Sequence, residues 1–185
     1  MAGLDDIGAT MVRRARGGDA RAFRWLFDRD AKHVRRFLMD LLRDRAEADE
    51  ATQETFVRAH RGLGELREVT RFRAWLFGTA RLVSLEQHRR TRRAPRTSLD
   101  DAPHPVDRAP DPESALLGRE ADALLERAMQ QLGDDRRAVL LLRLDHGLDY
   151  DAIAEAMGWP SSKVKNELHR ARLELRAHLG TYGDA

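Results

Sequence analysis

Five of the chain's six prolines fall between residues 95 and 112: Pro95, Pro103, Pro105, Pro110 and Pro112. The same stretch carries Asp100, Asp101, Asp107 and Asp111 and few large apolar residues. Proline removes an amide donor and blocks the interior of a helix. So little apolar surface cannot offset the entropy of ordering the chain. Residues 94–112 therefore read as an extended acidic linker. They divide the sequence into 1–93 and 113–185, each small but long enough for a helical bundle. The charged share, 35%, is above the usual quarter. Such a composition suits narrow apolar stripes beside wide charged faces and disfavours a large sandwich or barrel.

The first piece shows helical periodicity. Phe23, Leu26, Phe27, Val34, Phe37, Leu38, Leu41 and Leu42 recur at three- and four-residue steps, which places them on one face of a long helix. Asp19 suits its N-cap, because a carboxylate accepts the free first-turn amides. Asp44 suits the cap of a second helix over 45–61, which Gly62 and Gly64 interrupt. A third stripe is Phe72, Trp75, Leu76, Thr79 and Val83. Phe72 and Trp75 could stack on bases, but their place on the stripe reads as core. No stretch alternates long enough to propose a strand. The expected fold is all-α, with two small helical bundle domains.

The second piece predicts three or four helices. Asp111 and Pro112 form an N-cap and first-turn proline, followed by Leu116, Leu117, Leu124, Leu125 and Ala128 at helical spacing. Residues 134–144 make a short, very apolar helix. Asp149 caps the next, with Tyr150, Ile153, Ala154 and Met157 on one side. Gly158 ends it, and a last helix from Pro160 and Ser161 has Val164, Leu168, Ala171, Leu175 and Leu179 as its inner stripe. The spacing of Ala154, Gly158 and Val164 is that of a helix-turn-helix. Opposite Val164 and Leu168 lie Ser162, Lys163, Asn166, His169 and Arg170, flanked by Lys165 and Arg172. These side chains can read base edges or hold phosphates.

Net charge is only +2, but its distribution is uneven. Arg81, Arg89, Arg90, Arg92, Arg93 and Arg96 cluster against the single acid Glu86. Lys163, Lys165, Arg170, Arg172 and Arg176 form a second basic segment. Two such segments on a near-neutral chain suggest two contacts with a polyanion, although a pair of solvated helix faces has the same pattern. There is no cysteine, which excludes disulfides, thiolate metal sites and cysteine catalysis. No apolar run is long enough to cross a bilayer, and Met1 to Thr10 lacks the features of a secretory signal. The expectation is a cytoplasmic protein with no cofactor and no membrane contact.

Residues 136–179, RRAVLLLRLDHGLDYDAIAEAMGWPSSKVKNELHRARLELRAHL, resemble region 4 of the extracytoplasmic-function (ECF) sigma factors of bacterial RNA polymerase. Residues 11–63, and FRAWLFGTARLVSLEQHRR over 72–90, resemble region 2 of the same family. The two motifs occur in family order across a variable linker. The resemblance implies that 1–93 binds core polymerase and recognises and melts the −10 element, and that 113–185 recognises the −35 element. It implies that Glu50, Gln53 and Glu54 dock onto the beta-prime clamp helices of core RNA polymerase. They share a helix face, being three or four apart. For the −10 element it implies a base-capturing loop at 64–71, with Arg71, Arg81, Glu86, Arg89 and Arg90. For −35 it implies Lys165, Asn166, His169 and Arg170 at bases, and Lys163 and Arg172 at phosphates. An anti-sigma factor is the partner expected in cells.

The sequence departs from the family at several of these positions. Glu50, Ala51 and Thr52 replace a usual Asp-Leu-Val. Leu82 and Glu86 stand where Asn and Asp are common. Glu167 stands where Arg is usual, and its carboxylate either accepts from a cytosine amine or repels phosphate. Trp159 at the turn reads as packing. A stand-alone helix-turn-helix regulator, dimeric and independent of polymerase, is the alternative. An enzyme acting on nucleic acid fits poorly, because no HExxH, paired-carboxylate or phosphate-loop pattern occurs. His33, His60 and His88 have no ligand-like companions.

Overall fold

A computed structural model describes residues 2–93 and 112–183. The linker expected at 94–112 lies outside them, except that Pro112 opens a helix. Among the described residues, eight helices, α1 Ala2–Arg16, α2 Ala20–Leu42, α3 Arg45–Gly62, α4 Phe72–Arg93, α5 Pro112–Gln131, α6 Asp134–Leu144, α7 Tyr150–Met157 and α8 Ser161–Gly183, account for the secondary structure, with two 3₁₀ turns, Leu63–Glu65 and Val69–Arg71. No strand occurs among the described residues. The expected all-α fold is therefore present, in two groups, α1–α4 and α5–α8. Helix α1 was not expected from the sequence.

The caps explain where the helices start. Asp19 accepts from the amides of Arg21 and Ala22 at 2.9 and 3.1 Å, and these bonds lower its carboxyl pKa. Asp44 accepts from Glu47 at 2.8 Å, and Asp149 from Ala152 at 2.7 Å. Each satisfies an amide that the helix itself leaves free. The end of α5 is closed differently. Buried Arg137 donates to the carbonyls of Met129, Gln130 and Leu132, serving the orphan acceptors of that terminus.

In the first group α2 is central, packed on α1, α3 and α4. Leu26, Val34, Phe37 and Leu38 of α2 are buried with Phe56, Phe72, Leu76 and Phe77. Phe72 is thus core. Asp30 is also buried, held by Arg29 at 2.6 Å and by Arg73 of α4 at 3.4 Å. In the second group Val139, Leu140 and Leu142 of α6 meet Val164, Leu168 and Ala171 of α8. Leu125, expected on an inner stripe, is exposed. Its helix packs on α8 with only part of its circumference.

The two groups are in contact. Helix α4 packs on α7, and α2 on α6. A Cβ added to Gly78 of α4 would lie 3.1 Å from the Ala156 carbonyl oxygen and 3.2 Å from its Cα. The missing side chain is what allows this approach. Next to it, His146 from the α6–α7 connection is buried between Phe77, Phe37 and His33, with ring centroids 4.5, 5.7 and 6.2 Å away. Neither ring nitrogen has a hydrogen-bond partner among the described residues.

Burial drives the His146 pKa down to about 4, aided by electrostatic repulsion from the nearby Arg73, His33 and Arg36. The unfolded imidazole titrates near 6.5, so between 6.5 and 4 the unfolded chain binds a proton that the folded chain refuses. Stability therefore falls as pH drops through that window. Asp40 opposes this. Its carboxyl, raised to about 6 chiefly by burial, contributes stability that is lost as pH rises through 6. We predict that His146→Leu is more stable than the native chain by about 2 kcal/mol more at pH 5 than at pH 7.5. Thermal melts at the two pH values test this; an equal gain at both would show that His146 does not titrate there.

Candidate nucleic-acid interface

Helix α8 follows α7 through a turn built on Gly158, whose φ is +66°. The Trp159 amide donates to the Ala154 carbonyl at 2.9 Å and the Gly158 amide to Glu155 at 3.1 Å, a Schellman-type closure that requires a left-handed residue. The turn sets the direction of α8. Val164, Leu168 and Ala171 point inward. All seven residues expected at −35, Ser162, Lys163, Lys165, Asn166, His169, Arg170 and Arg172, are exposed on the other side.

The α8 face is braced at its edges. Lys163 Nζ sits 3.9 Å from the centroid of the Trp159 ring, so Trp159 packs under a cation at the turn. Glu167 is turned away from solvent, its carboxylate accepting from Arg136 Nε at 2.9 Å and from Arg170 at 3.3 Å. Arg136 also donates to Glu174. The carboxylate that seemed free to read a base is thus already paired, and it fixes one side of Arg170. Arg136 was missed by the sequence reading, since its partners lie more than a helix away along the chain.

A second constellation lies between α3 and α4. Glu50 and Gln53 are exposed and Glu54 half-buried. They line a groove with Val57, Arg58, Glu86 and Arg90. Arg58 closes it. Its Nε donates to Glu54 at 2.7 Å, and its two terminal nitrogens donate to the Glu86 carboxylate at 2.9 and 2.7 Å. This bidentate pair holds the Glu86 carboxyl below its usual range and raises the Arg58 pKa. Glu86 is consequently engaged within the protein, whereas Arg89 and Arg90 are exposed. Arg58 was also missed, although its four-residue spacing from Glu54 is visible in the sequence. Leu82 is 56% exposed on the same helix, a bare apolar side chain beside the basic segment.

The remaining two expected −10 residues face the second group. Arg71 lies 3.8 Å from Asp149 and 4.0 Å from Glu155. Arg81 lies 2.5 Å from Asp135. Arg71 lines a cleft of about 440 Å³ with Glu65, Leu66, Glu68, Trp75 and Glu155. Trp75 is only half-buried there, so it differs from Phe72 in reaching a surface. The described residues hold no cluster of three metal-ligating side chains, and none of their helices is long and apolar enough to cross a membrane.

This arrangement matches known proteins. Residues 26–94 match the Sigma-70 region 2 family model, and residues 122–175 match the Sigma-70 region 4 model. The chain is 33% identical to the RNA polymerase sigma-H factor of Pseudomonas aeruginosa, over 88% of each chain. It is 32% identical to the ECF RNA polymerase sigma factor SigL of Mycobacterium tuberculosis, over 93% of this chain and 97% of that one. The solved structure of CnrH, in complex with the cytosolic domain of CnrY, superposes with a TM-score of 0.71 at 22% identity, covering 95% of this chain and 98% of that one. The chain belongs to the ECF sigma factors of the Sigma-70 family. It is a transcription initiation factor that acts with RNA polymerase.

The turn yields a prediction. Gly158→Ala meets open space, so its cost is the left-handed backbone alone, about 1–2 kcal/mol. The melting temperature falls by a few degrees. An unchanged melting temperature would mean that the turn relaxes out of the left-handed region.

Proposed function

We propose that α8 is the −35 reading helix and that the α3–α4 face does the rest of the work of initiation. Lys165, Asn166, His169 and Arg170 contact bases in the major groove, with Ser162, Lys163 and Arg172 on phosphates. Glu50, Gln53 and Glu54 dock onto the beta-prime clamp helices of core polymerase. Arg71, Arg81, Arg89 and Arg90 hold the melted −10 strand, whose flipped base enters the loop at 64–71. Unstacking costs a few kcal/mol, and binding of the single strand offsets it without ATP. Glu86 acts in this scheme by holding Arg58 and so aligning α3 with α4. Residues 1–93 and 113–185 are the two functional units, and 94–112 tethers them. The protein performs no covalent chemistry, binds no cofactor, works in the cytoplasm, and is restrained by an anti-sigma factor.

The observation that carries this reading is the sidedness of α8: every residue expected to touch DNA is exposed, and every residue expected in the core is buried or half-buried. Run-off transcription with purified core enzyme, on promoter fragments selected by the reconstituted holoenzyme, tests it. Stimulation is expected, and its absence on every fragment ends the reading. The stand-alone regulator predicts instead specific duplex binding without core enzyme, and dimers in gel filtration.

Two variants divide the roles. Asn166→Ala with Arg170→Ala removes two base contacts and costs about 1–3 kcal/mol each, lowering promoter selectivity while core binding is kept. Glu50→Lys with Gln53→Ala abolishes stimulation while leaving DNA binding by the free chain unchanged. Loss of DNA binding in the second variant would contradict the division of surfaces.

A further inference from the structure

Among residues 161–173 of α8, Glu167 is the only acid. At about 100° per residue, Ser162, Asn166 and His169 lie on the outward midline of the helix, opposite Val164 and Leu168. Lys163, Arg170 and Glu167 follow in that order along the flank that turns toward α6. A bare carboxylate on that flank would repel the phosphates of a duplex. This one is not bare, and only 16% of its side chain is exposed. Its Oε2 accepts from Arg136 Nε at 2.9 Å, and its Oε1 accepts from Arg170 Nη1 at 3.3 Å. Arg136 stands on α6, next to a run of buried residues that begins at Arg137. Its Nη1 also donates to Glu174, two turns beyond Glu167. One guanidinium from outside α8 is thus tied to two of its carboxylates, and the nearer carboxylate is tied to Arg170. Arg170 remains 62% exposed.

We propose that Arg136 and Glu167 are positioning residues for Arg170, and that Arg136, although it lies on α6 and off the reading face, sets the base preference at the pair Arg170 reads. The inference rests on the reading of α8 as the −35 helix. A free arginine on a protein surface samples many rotamers, and its charge is satisfied by any phosphate in reach. Ordering such a side chain costs about two- to tenfold in affinity. Glu167 orders Arg170 before DNA arrives. It engages one terminal nitrogen and leaves the other edge of the fork, Nε and Nη2, for the paired acceptors of a guanine, N7 and O6. Its charge also disfavours a phosphate on the same flank, which steers Arg170 toward the base. Arg136 makes this possible by neutralising the carboxylate and fixing its direction. Without Arg136 the carboxylate is free to turn into water and release Arg170. Partly exposed ion pairs contribute little to stability, so the signature of this device is selectivity at one base pair rather than a change in melting temperature.

The experiment uses holoenzyme reconstituted from core enzyme and the full chain, with a pool of promoter fragments randomised across the −35 segment. Bound and unbound fragments are sequenced, which gives a preference for every base pair. Arg170→Ala marks the pair that Arg170 reads, where the preference for guanine is expected to fall by at least about fivefold. Arg136→Ala and Glu167→Ala are each expected to lower the preference at that same pair by about two- to tenfold. The other −35 positions stay within about twofold, and the melting temperature changes by no more than about 4 °C. Arg136→Ala placed in the Arg170→Ala background changes nothing further at the marked pair. Arg24→Ala, which breaks an exposed ion pair with Asp28 on α2, is the control and leaves every preference unchanged.

Three results overturn the proposal. Glu167→Ala that tightens binding to all fragments alike, with preferences unaltered, makes the carboxylate a repulsive charge and nothing more. Arg136→Ala that weakens all positions alike, or that lowers the melting temperature well beyond the stated range, makes Arg136 a packing residue between α6 and α8. A loss at the marked pair that Arg24→Ala reproduces makes the effect one of net charge. Failure of the underlying reading looks different: Arg170→Ala then alters no base preference at all, and the −35 assignment falls together with the positioning role. A pair marked by Arg170→Ala but untouched by Arg136→Ala and Glu167→Ala removes the positioning role alone.

Discussion

The approach of α4 to α7 at Gly78 decides what the charged residues of this protein meet. Once a backbone carbonyl lies where a side chain would be, the flanking positions of both helices are brought into range. Arg81 is one turn beyond Gly78 and Arg71 lies at the start of the helix, so each is carried onto the acidic edge of the second group. His146 fills the adjoining space against Phe37 and Phe77, which requires it neutral and ties the seam to pH. Helix α4 thereby serves three surfaces. Phe72, Leu76 and Ala80 build the first group's core, Gly78 meets α7, and Arg89 and Arg90 remain in water.

Arginine–carboxylate networks do a related job inside each functional surface. Arg58 joins Glu54 of α3 to Glu86 of α4, so a residue of the expected polymerase face and one of the expected DNA face share a single guanidinium. Arg136 does the same for Glu167 and Glu174 on α8. Bidentate geometry makes such pairs directional, and their partial exposure keeps their net contribution to stability small. Their effect is on orientation. Glu86 and Glu167, which depart from the pattern the resemblance implies, are both held by arginine.

Much of this was legible before any coordinates. Asp19, Asp44 and Asp149 cap their helices as their chemistry demands, because capping is a local interaction with a fixed spacing. The sidedness of α8 followed from period alone, since Val164, Leu168 and Ala171 define a face that excludes the polar residues. The exposure of the residues expected at −35 was legible for the same reason. Helix α1 was less legible because its large apolar residues are few, Leu4, Ile7, Met11 and Val12, and Ile7 is exposed. The roles of Arg58 and Arg136 depend on partners across the tertiary fold, and Arg136 lies 31 positions from Glu167. The contact between the two groups was not legible either. It centres on one glycine and one histidine, residues that carry no periodic signal.

Geometry sets the price of that contact for initiation. Elements named −35 and −10 are centred about 25 base pairs apart, roughly 85 Å along duplex DNA at 3.4 Å per pair. Helix α8, with 23 residues, is only about 35 Å long, and in the packed molecule it lies one helix away from α4, since α7 touches both. The two proposed reading surfaces cannot reach both elements in that arrangement. Residues 94–112 can extend to about 65 Å, which, added to the breadth of the two groups, covers the distance. Occupying both elements therefore requires breaking the α4–α7 seam. The free energy to do so must come from outside the chain, and on the proposed division of surfaces the source is a polymerase that engages the α3–α4 groove and α8 at separate places.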